Sequence, residues 1–380
     1  MSDTDALRAW LVLLRTPGLG PAWLRERLAA EAGDIGAVLA GLRHAPANLD
    51  ASARGWLKRP DEERLAADLA WLAAPGHRLL RCTDADFPPP LEQIAQAPAA
   101  LFVAGDAGLL LRPQVAVVGA RGATANGLAQ ARRFALALAQ TGFVITSGMA
   151  DGVDGAAHGA ALDAGAPTIA VVGTGPDVVY PRKHQALAQA IAAHGALVSE
   201  FPPGTAPRAD HFPRRNRIIA GLSLGTLVIE AGLKSGSLIT ARLAGEQGRE
   251  VFALPGSVHN PLARGCHRLI REGVRLVEAP AELVEALVPA ARALGLELAA
   301  RLATDEAAGT ASPSDRPPPL PSAEPDQRRL RHALGHDPAT LDELAARTGL
   351  APSALASMLL MLELEGQVQS LPGNRYQCLA

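Results

Sequence analysis

Residues 115–127 read VAVVGARGATANG. Val115, Ala116, Val117 and Val118 run on without a polar residue between them, stop at Gly119 and give way to a glycine-spaced loop. An apolar, β-branched run without alternation is the signature of a strand covered on both faces. The pattern recurs downstream. Phe143 to Thr146 leads into Ser147-Gly148, and Thr168 to Val172 into Gly173-Thr174-Gly175. Thr226 to Ile229 leads into Glu230-Ala231-Gly232, and Val251 to Leu254 into Pro255-Gly256. Amphipathic stretches such as 127–140 and 183–193 lie between the runs. Strand, glycine loop and helix in repeated alternation predict an α/β fold built on a doubly wound parallel sheet.

The flanks read differently. Residues 1–75 predict short helices, with Leu7, Trp10, Leu11 and Leu14 at helical spacing and a restart at Ala22 to Ala30. The turn between them, Thr16-Pro17-Gly18-Leu19-Gly20-Pro21, is either a helix-hairpin-helix whose free amides can hold a phosphate or an ordinary helical turn. Residues 303–326 predict a linker, since Pro313 to Pro325 holds six prolines in 13 residues and cannot form a core. Beyond it, 327–380 predict a winged helix: Leu341 to Thr348, a turn at Gly349 to Pro352, a second helix from Ser353 to Glu365, and a β wing from Val368 to Cys378. The expected division is a helical domain at 1–75, a doubly wound sheet domain at 80–290, a linker and a winged helix.

Composition narrows the chemistry. Across 380 residues, 48% are hydrophobic but only 3% aromatic, so alanine, leucine and valine must build the core. Cys82, Cys266 and Cys378 are scattered without a CxxC pair, which fits a reducing compartment and offers no zinc or redox site. No apolar run approaches the ~18 residues of a membrane span, and Met1-Ser2-Asp3-Thr4-Asp5 is acidic where a secretory signal is basic. The expectation is a soluble cytoplasmic protein with no membrane partner. The formal charge is -2, which does not by itself predict nucleic-acid binding. Of the 36 basic residues only Lys58, Lys183 and Lys234 are lysines, so the positive charge is almost wholly arginine. A GC-rich coding bias explains that enrichment as well as a need for planar phosphate contacts does.

In a doubly wound sheet, ligands sit at the carboxyl ends of the strands. The loops there contain Gly119 and Arg121, Ser147 and Gly148, Gly175, and Lys234, Ser235, Gly236 and Ser237. Each places backbone N–H groups near a helix start, where anions are favoured, although any one glycine is also explained by a tight turn. None of these loops is GxGxxG or GxxxxGK[ST], so neither a dinucleotide fingerprint nor a phosphate-hydrolysing motor is indicated. The densest basic segment, Arg208 to Arg217, carries Phe212, Arg214, Arg215, Asn216 and Arg217. It suits a phosphate backbone with a base stacked on the ring, or simply a solvated charge run entering a helix at Ile218. Asp154 and His158 stand i, i+4 on a helix and Asp151 fits a helix cap; neither makes a convincing metal site. No metal, cofactor or catalytic residue is assigned.

These same blocks resemble a known family. VAVVGARGATANG, SGMADGVDGAAHGAAL, VVGTGPDVVYPRKH, HFPRRNRIIAGLS and EAGLKSGSLITARLAGEQGREVFALPGS, in that order, are similar to the bacterial DNA-processing family DprA, also called Smf. The resemblance implies an extended Rossmann-like fold that binds single-stranded DNA in natural transformation, protects incoming strands, acts as a homodimer and loads the RecA recombinase. It carries the family's strand-end arginine onto Arg121, its aromatic-and-arginine segment onto Phe212, Arg214, Arg215, Asn216 and Arg217, and its Ser-Gly-Ser helix start onto Ser235, Gly236 and Ser237. Lys183 and Lys234 are expected to add phosphate contacts. Ala120 stands where the family usually has serine, Ala209 where many members have lysine, and His184 where asparagine is common.

Two rival functions follow from the sequence. Gly225-Thr226 and Glu230 resemble, in part, the phosphoribohydrolase-type nucleotide-processing enzymes, but Leu222-Ser223-Leu224 replaces their Pro-Gly-Gly. A winged-helix transcription regulator is opposed by charge: Gly349 through Asn374 contain no arginine or lysine, so the second helix is expected not to read DNA sequence. Met358 and Met361 suit a protein contact there instead.

Overall fold

The computed structural model describes residues 3–44, 49–308, 330, 333–334, 339–348, 350, 355, 359, 368–371 and 375–378. They fall into two compact units, Met1–Leu302 and Ala303–Ala380, described separately below.

Five helices open the first unit: α1 (Asp3–Leu14), α2 (Pro21–Ala30), α3 (Ile35–His44), α4 (Ala51–Lys58) and α5 (Glu62–Leu72). Asp50 and Asp61 cap α4 and α5 by accepting from the backbone N–H three residues on, the usual answer to unpaired amides at a helix start. Their apolar faces close around Trp10, Leu11 and Leu13, and the cluster extends onto Leu79, Ala100 and Phe102 of the neighbouring sheet edge. Gly18, between α1 and α2, adopts a positive φ of 75°, and Gly20 caps α2 without a side chain.

The sheet elements follow as β1 (His77–Arg81), α6 (Pro89–Glu92), β2 (Ala100–Gly105), β3 (Gln114–Gly119), α7 (Ala125–Gln140), β4 (Val144–Ser147), α8 (Val153–Asp163), β5 (Thr168–Val172), α9 (Gln185–His194) and β6 (Ala196–Ser199). Then come α10 (His211–Leu222), β7 (Gly225–Ile229), α11 (Gly236–Glu246), β8 (Glu250–Ala253), α12 (Arg264–Arg271), β9 (Arg275–Leu276) and α13 (Pro280–Ala308). Nine strands form one sheet in the order β1-β2-β6-β5-β4-β3-β7-β8-β9. From β6 to β9 all neighbours are parallel, whereas β1 pairs β2, and β2 pairs β6, antiparallel. The five strand-forming runs in the sequence are the centre of this sheet.

The unalternated run in β3 has a direct cause. Val115 and Val117 face the layer of α7, α8 and α13, while Ala116 and Val118 face that of α10 and α11. Both faces are dry, so both sets of positions must be apolar. Fully buried Phe134 and Phe252 anchor the first layer among small residues such as Ala131, Ala135, Ala157 and Ala161, each large side chain contributing ~1.5–3 kcal/mol by leaving water.

In the second unit a short strand, Ala339–Thr340, and a hairpin, Val368–Leu371 with Arg375–Cys378, form a three-stranded antiparallel sheet. The helix Leu341–Thr348 starts with a reciprocal capping box: the Thr340 N–H donates to Glu343 and the Glu343 N–H to the Thr340 hydroxyl, as such starts do. Leu330, Leu334, Leu344, Leu355 and Leu359 are its buried core. Most of the expected second helix, Ser353 to Glu365, and the methionines in it lie outside the described residues. No described helix is long and apolar enough to cross a membrane.

Candidate nucleic-acid interface

The sheet reverses its winding between β3 and β7. β3 leads to α7 on one face, and β7 leads to α11 on the other. Their carboxyl ends therefore diverge, and a cleft of about 790 Å³ opens between them, at the place where open α/β sheets hold ligands. Gly119 is required at its floor, because a Cβ there would lie 1.9 Å from the Ile229 carbonyl oxygen.

Nine of the expected site residues line this cleft: Gly119, Arg121, Phe212, Arg215, Asn216, Lys234, Ser235, Gly236 and Ser237. Ser235 caps α11, accepting from the Ser237 N–H, so the helix starts at Gly236. Its open N-terminus faces the cleft. Arg121 and Lys234 are exposed and have no carboxylate partner among the described residues. The Arg121 guanidinium lies 5.9 Å from the centroid of Phe212, and Tyr180 lies 5.4 Å from the same ring. Tyr180, 43% exposed, was not singled out from the sequence. Its place within VVYPRKH, beside two basic residues, was the available signal.

The basic segment is part of a helix. α10 starts at His211, after Arg208 and ahead of Arg214, Arg215 and Arg217, with Pro213 tolerated in its first turn. That geometry separates side chains adjacent in sequence. Arg214 is half-exposed and meets Glu200 at 3.2 Å, while Arg217 is buried against the other oxygen of Glu200 at 2.5 Å. Arg215 is also buried; it donates to the Gly148 carbonyl at 2.9 Å and to the Val171 carbonyl. Burial, opposed by Asp154 and reinforced by Arg121, pushes the Arg215 guanidinium down to about 10. Its neighbour Asn216 joins it to α11, accepting from Arg215 Nε and donating to the Gly236 carbonyl. Phe212 is half-buried, against Gly173.

The remaining expected residues lie elsewhere. Ser147 is fully buried and donates to the Val117 carbonyl at 2.6 Å. The Gly148 N–H donates to Asp154, and Gly148 borders a smaller recess shared with Arg121, Tyr180 and Phe212. Gly175 donates to the Thr205 carbonyl at a close approach where a Cβ would lie 2.7 Å from Pro202 oxygen. Lys183 pairs with Asp151 at 2.9 Å, as does His184 at 3.2 Å. Asp151 is thus an ion-pair partner, and the residue capping α8 is Gly152 at φ 76°.

Beneath the cleft, Asp154 accepts from the Gly148 and Ala150 N–H groups, and burial raises its carboxyl above the usual range against the pull of Arg215. Thr168 donates its hydroxyl to Ile145, so it accepts from Nδ1–H of His158 at 2.7 Å. Burial, with His184 and Arg215 adding to it, holds that imidazole at about 3. Asp154 and His158 thus bond separately, to backbone and to Thr168. Among the described residues no three His, Cys, Asp or Glu side chains gather to hold a metal.

The geometry speaks against the phosphoribohydrolase reading. Gly225 and Thr226 open β7 at its amino end, across the sheet from the cleft. Glu230, at the carboxyl end, has both oxygens engaged by Thr124 and Asn260.

Comparison with known proteins gives a consistent result. Residues 78–288 match the family described as DNA recombination-mediator protein A, and residues 314–374 match the DprA winged helix domain. Protein Smf of Escherichia coli is 42% identical over 312 residues, covering 82% of this chain and 80% of its own. DNA processing protein A from Streptococcus pneumoniae superposes with a TM-score of 0.66 at 36% identity, over 73% of this chain and 97% of that one. DNA processing protein A from Helicobacter pylori, whose structure is described as showing a unique single-stranded DNA binding mode, gives a TM-score of 0.51 at 30% identity, over 56% and 96%.

Proposed function

This chain belongs to the DNA recombination-mediator protein A family, and on that premise we propose that it binds single-stranded DNA along the cleft between β3 and β7. In this reading it is a cytoplasmic protein of natural transformation that protects incoming strands, acts as a homodimer and delivers them to the RecA recombinase, with no catalytic step of its own. Strand binding falls to 80–290, and the winged helix at 327–380 is a protein-contact module.

One observation carries the strand-binding role: Arg121 and Lys234, both without a carboxylate partner among the described residues, flank an open helix N-terminus and the Tyr180–Phe212 ring pair. Cations on a groove gain affinity by releasing counterions, and rings give a base of any identity a stacking surface. The test is fluorescence anisotropy with labelled single- and double-stranded oligonucleotides across a salt series. Single strands should bind more tightly, and Arg121→Ala should lower the salt slope by ~0.7, the value for one lost phosphate contact on a single strand. Equal affinity for duplex, or a slope unchanged by Arg121→Ala, would remove the cleft from the strand path. Sedimentation of the free protein and recombinase filament formation on the bound strand test the homodimer and the delivery step.

A further inference from the structure

We infer that Glu230 is a positioning residue that fixes the two cationic loops of the cleft relative to each other, an inference that rests on the strand-binding reading above. Glu230 follows β7 directly and adopts a φ of 51°, a left-handed conformation costly for a residue with a Cβ. The strained backbone turns its side chain into the gap between three loops. There the carboxylate accepts from the Thr124 N–H at 2.7 Å, the Thr124 hydroxyl at 2.6 Å and Asn260 Nδ2 at 2.9 Å.

Each partner belongs to a different part of the cleft wall. Thr124 caps α7 and ends the loop that carries Arg121. Glu230 itself begins the loop that carries Lys234 and the start of α11. Asn260 precedes Leu262, accepts from its N–H at 2.9 Å, and so fixes the residue with which the loop after β8 reaches the cleft. The site has room for this carboxylate because residue 127 is glycine: a Cβ there would sit 2.4 Å from a Glu230 oxygen. Glu230 is itself only 9% exposed and does not line the cleft. Its effect on a bound strand is therefore exerted through Arg121 and Lys234.

Charge makes the test decisive by sign. Removing a carboxylate close to a phosphate site should, by Coulomb attraction alone, tighten DNA binding. Loss of the clamp should weaken it, because the cations then pay an ordering cost on each binding event. Glu230→Gln is expected to weaken single-strand affinity by at least about tenfold, the lower end of the scale for one charge-assisted hydrogen bond, with the salt slope unchanged because no phosphate contact is lost. The double variant Glu230→Gln with Asn260→Asp swaps donor for acceptor at the 230–260 contact and keeps the local charge. It should recover most of the affinity. Tighter or unchanged binding by Glu230→Gln, or failure of the swap to restore a weakened one in a protein of wild-type melting temperature, overturns the inference. The wild-type protein and Arg121→Ala serve as controls: if the wild type does not bind single strands, the functional reading fails, whereas binding that Arg121→Ala weakens and Glu230→Gln does not defeats only the clamp. Should Glu230→Gln fail to fold, Asn260→Ala, which removes one of the three bonds, is expected to give a smaller loss in the same direction, and unchanged affinity there overturns the inference equally.

Discussion

The floor and the rim of the cleft hold the same kinds of residue in opposite circumstances. On the rim, Arg121, Arg208 and Lys234 are exposed, and only Arg208 has a carboxylate close by, Asp210 at 3.2 Å. On the floor, Asp154, His158, Glu200, Arg215 and Arg217 are each less than a tenth exposed and are held by one another, by backbone groups or, for His158, by the Thr168 hydroxyl. A count of positive charge along Arg208 to Arg217 treats these groups alike. Physically they differ: a rim cation meets phosphate at little desolvation cost, whereas a floor cation is already committed and its removal strands its partner. Floor substitutions should therefore appear in stability and rim substitutions in binding.

The hardest test of that separation is Arg217→Ala. Leaving Glu200 buried without its closest cation should cost ~3–5 kcal/mol, read as a fall in the urea midpoint, with single-strand affinity of the remaining folded protein changed by less than about twofold. Intact stability with lost binding would move Arg217 to the rim. Next in size is a pH effect. The folded protein keeps His158 neutral down to about 3, while the unfolded chain protonates it near 6.5. Between these values the unfolded state holds the extra proton, so stability falls as pH falls, by up to ~1.4 kcal/mol per unit. Unfolding at pH 7 and pH 5 should differ by ~2 kcal/mol from this group alone, and His158→Gln should flatten the difference; equal slopes in both proteins would count against a neutral, buried imidazole.

Phe212 stands between the two layers. Its ring rests on Gly173 yet lines the cleft, and Phe212→Ala should cost ~1–3 kcal/mol of single-strand affinity if a base stacks on it. A loss of folding stability as large as the loss of affinity would place the ring with the floor. The smallest effect is expected from deleting 326–380, which should leave single-strand affinity within about threefold, because the rim lies wholly in the first unit. Tight binding of a defined duplex by that segment alone would show a second DNA surface outside the cleft.

The sequence made the centre of the sheet legible because burial on both faces forces unbroken apolar runs, and β3, β4, β5, β7 and β8 all carry them. The antiparallel edge was not legible: β1 reads His77-Arg78-Leu79-Leu80-Arg81, a short, half-polar stretch that only its pairing with β2 turns into a strand. Loop positions that depend on a helix start, such as Arg121 and Ser235 to Ser237, could be placed in the cleft from local pattern. The inward turn of Arg215 and Arg217 could not. It depends on Glu200, 17 residues earlier than Arg217, and on carbonyls of β5 and of the loop after β4, none of which leaves a mark within the basic segment. Glu230 was legible only as part of a partial enzyme resemblance, and its bonds escaped for the same reason, since its partners are 106 residues before it and 30 after.

The pairing of β3 with β7 also has a consequence in time. Val115 lies opposite Gly225, so during synthesis β3 waits for about 110 further residues before one of its two edges is covered. At the ~5–20 residues per second of chain growth, that edge stays open for roughly 5–20 s on a nascent chain, with β4 and β5 already available on the other side. The cleft is therefore among the last features of the first unit to exist, and a ribosome-bound chain halted before β7 would offer an unprotected apolar strand edge, the kind of surface that other chains pair with.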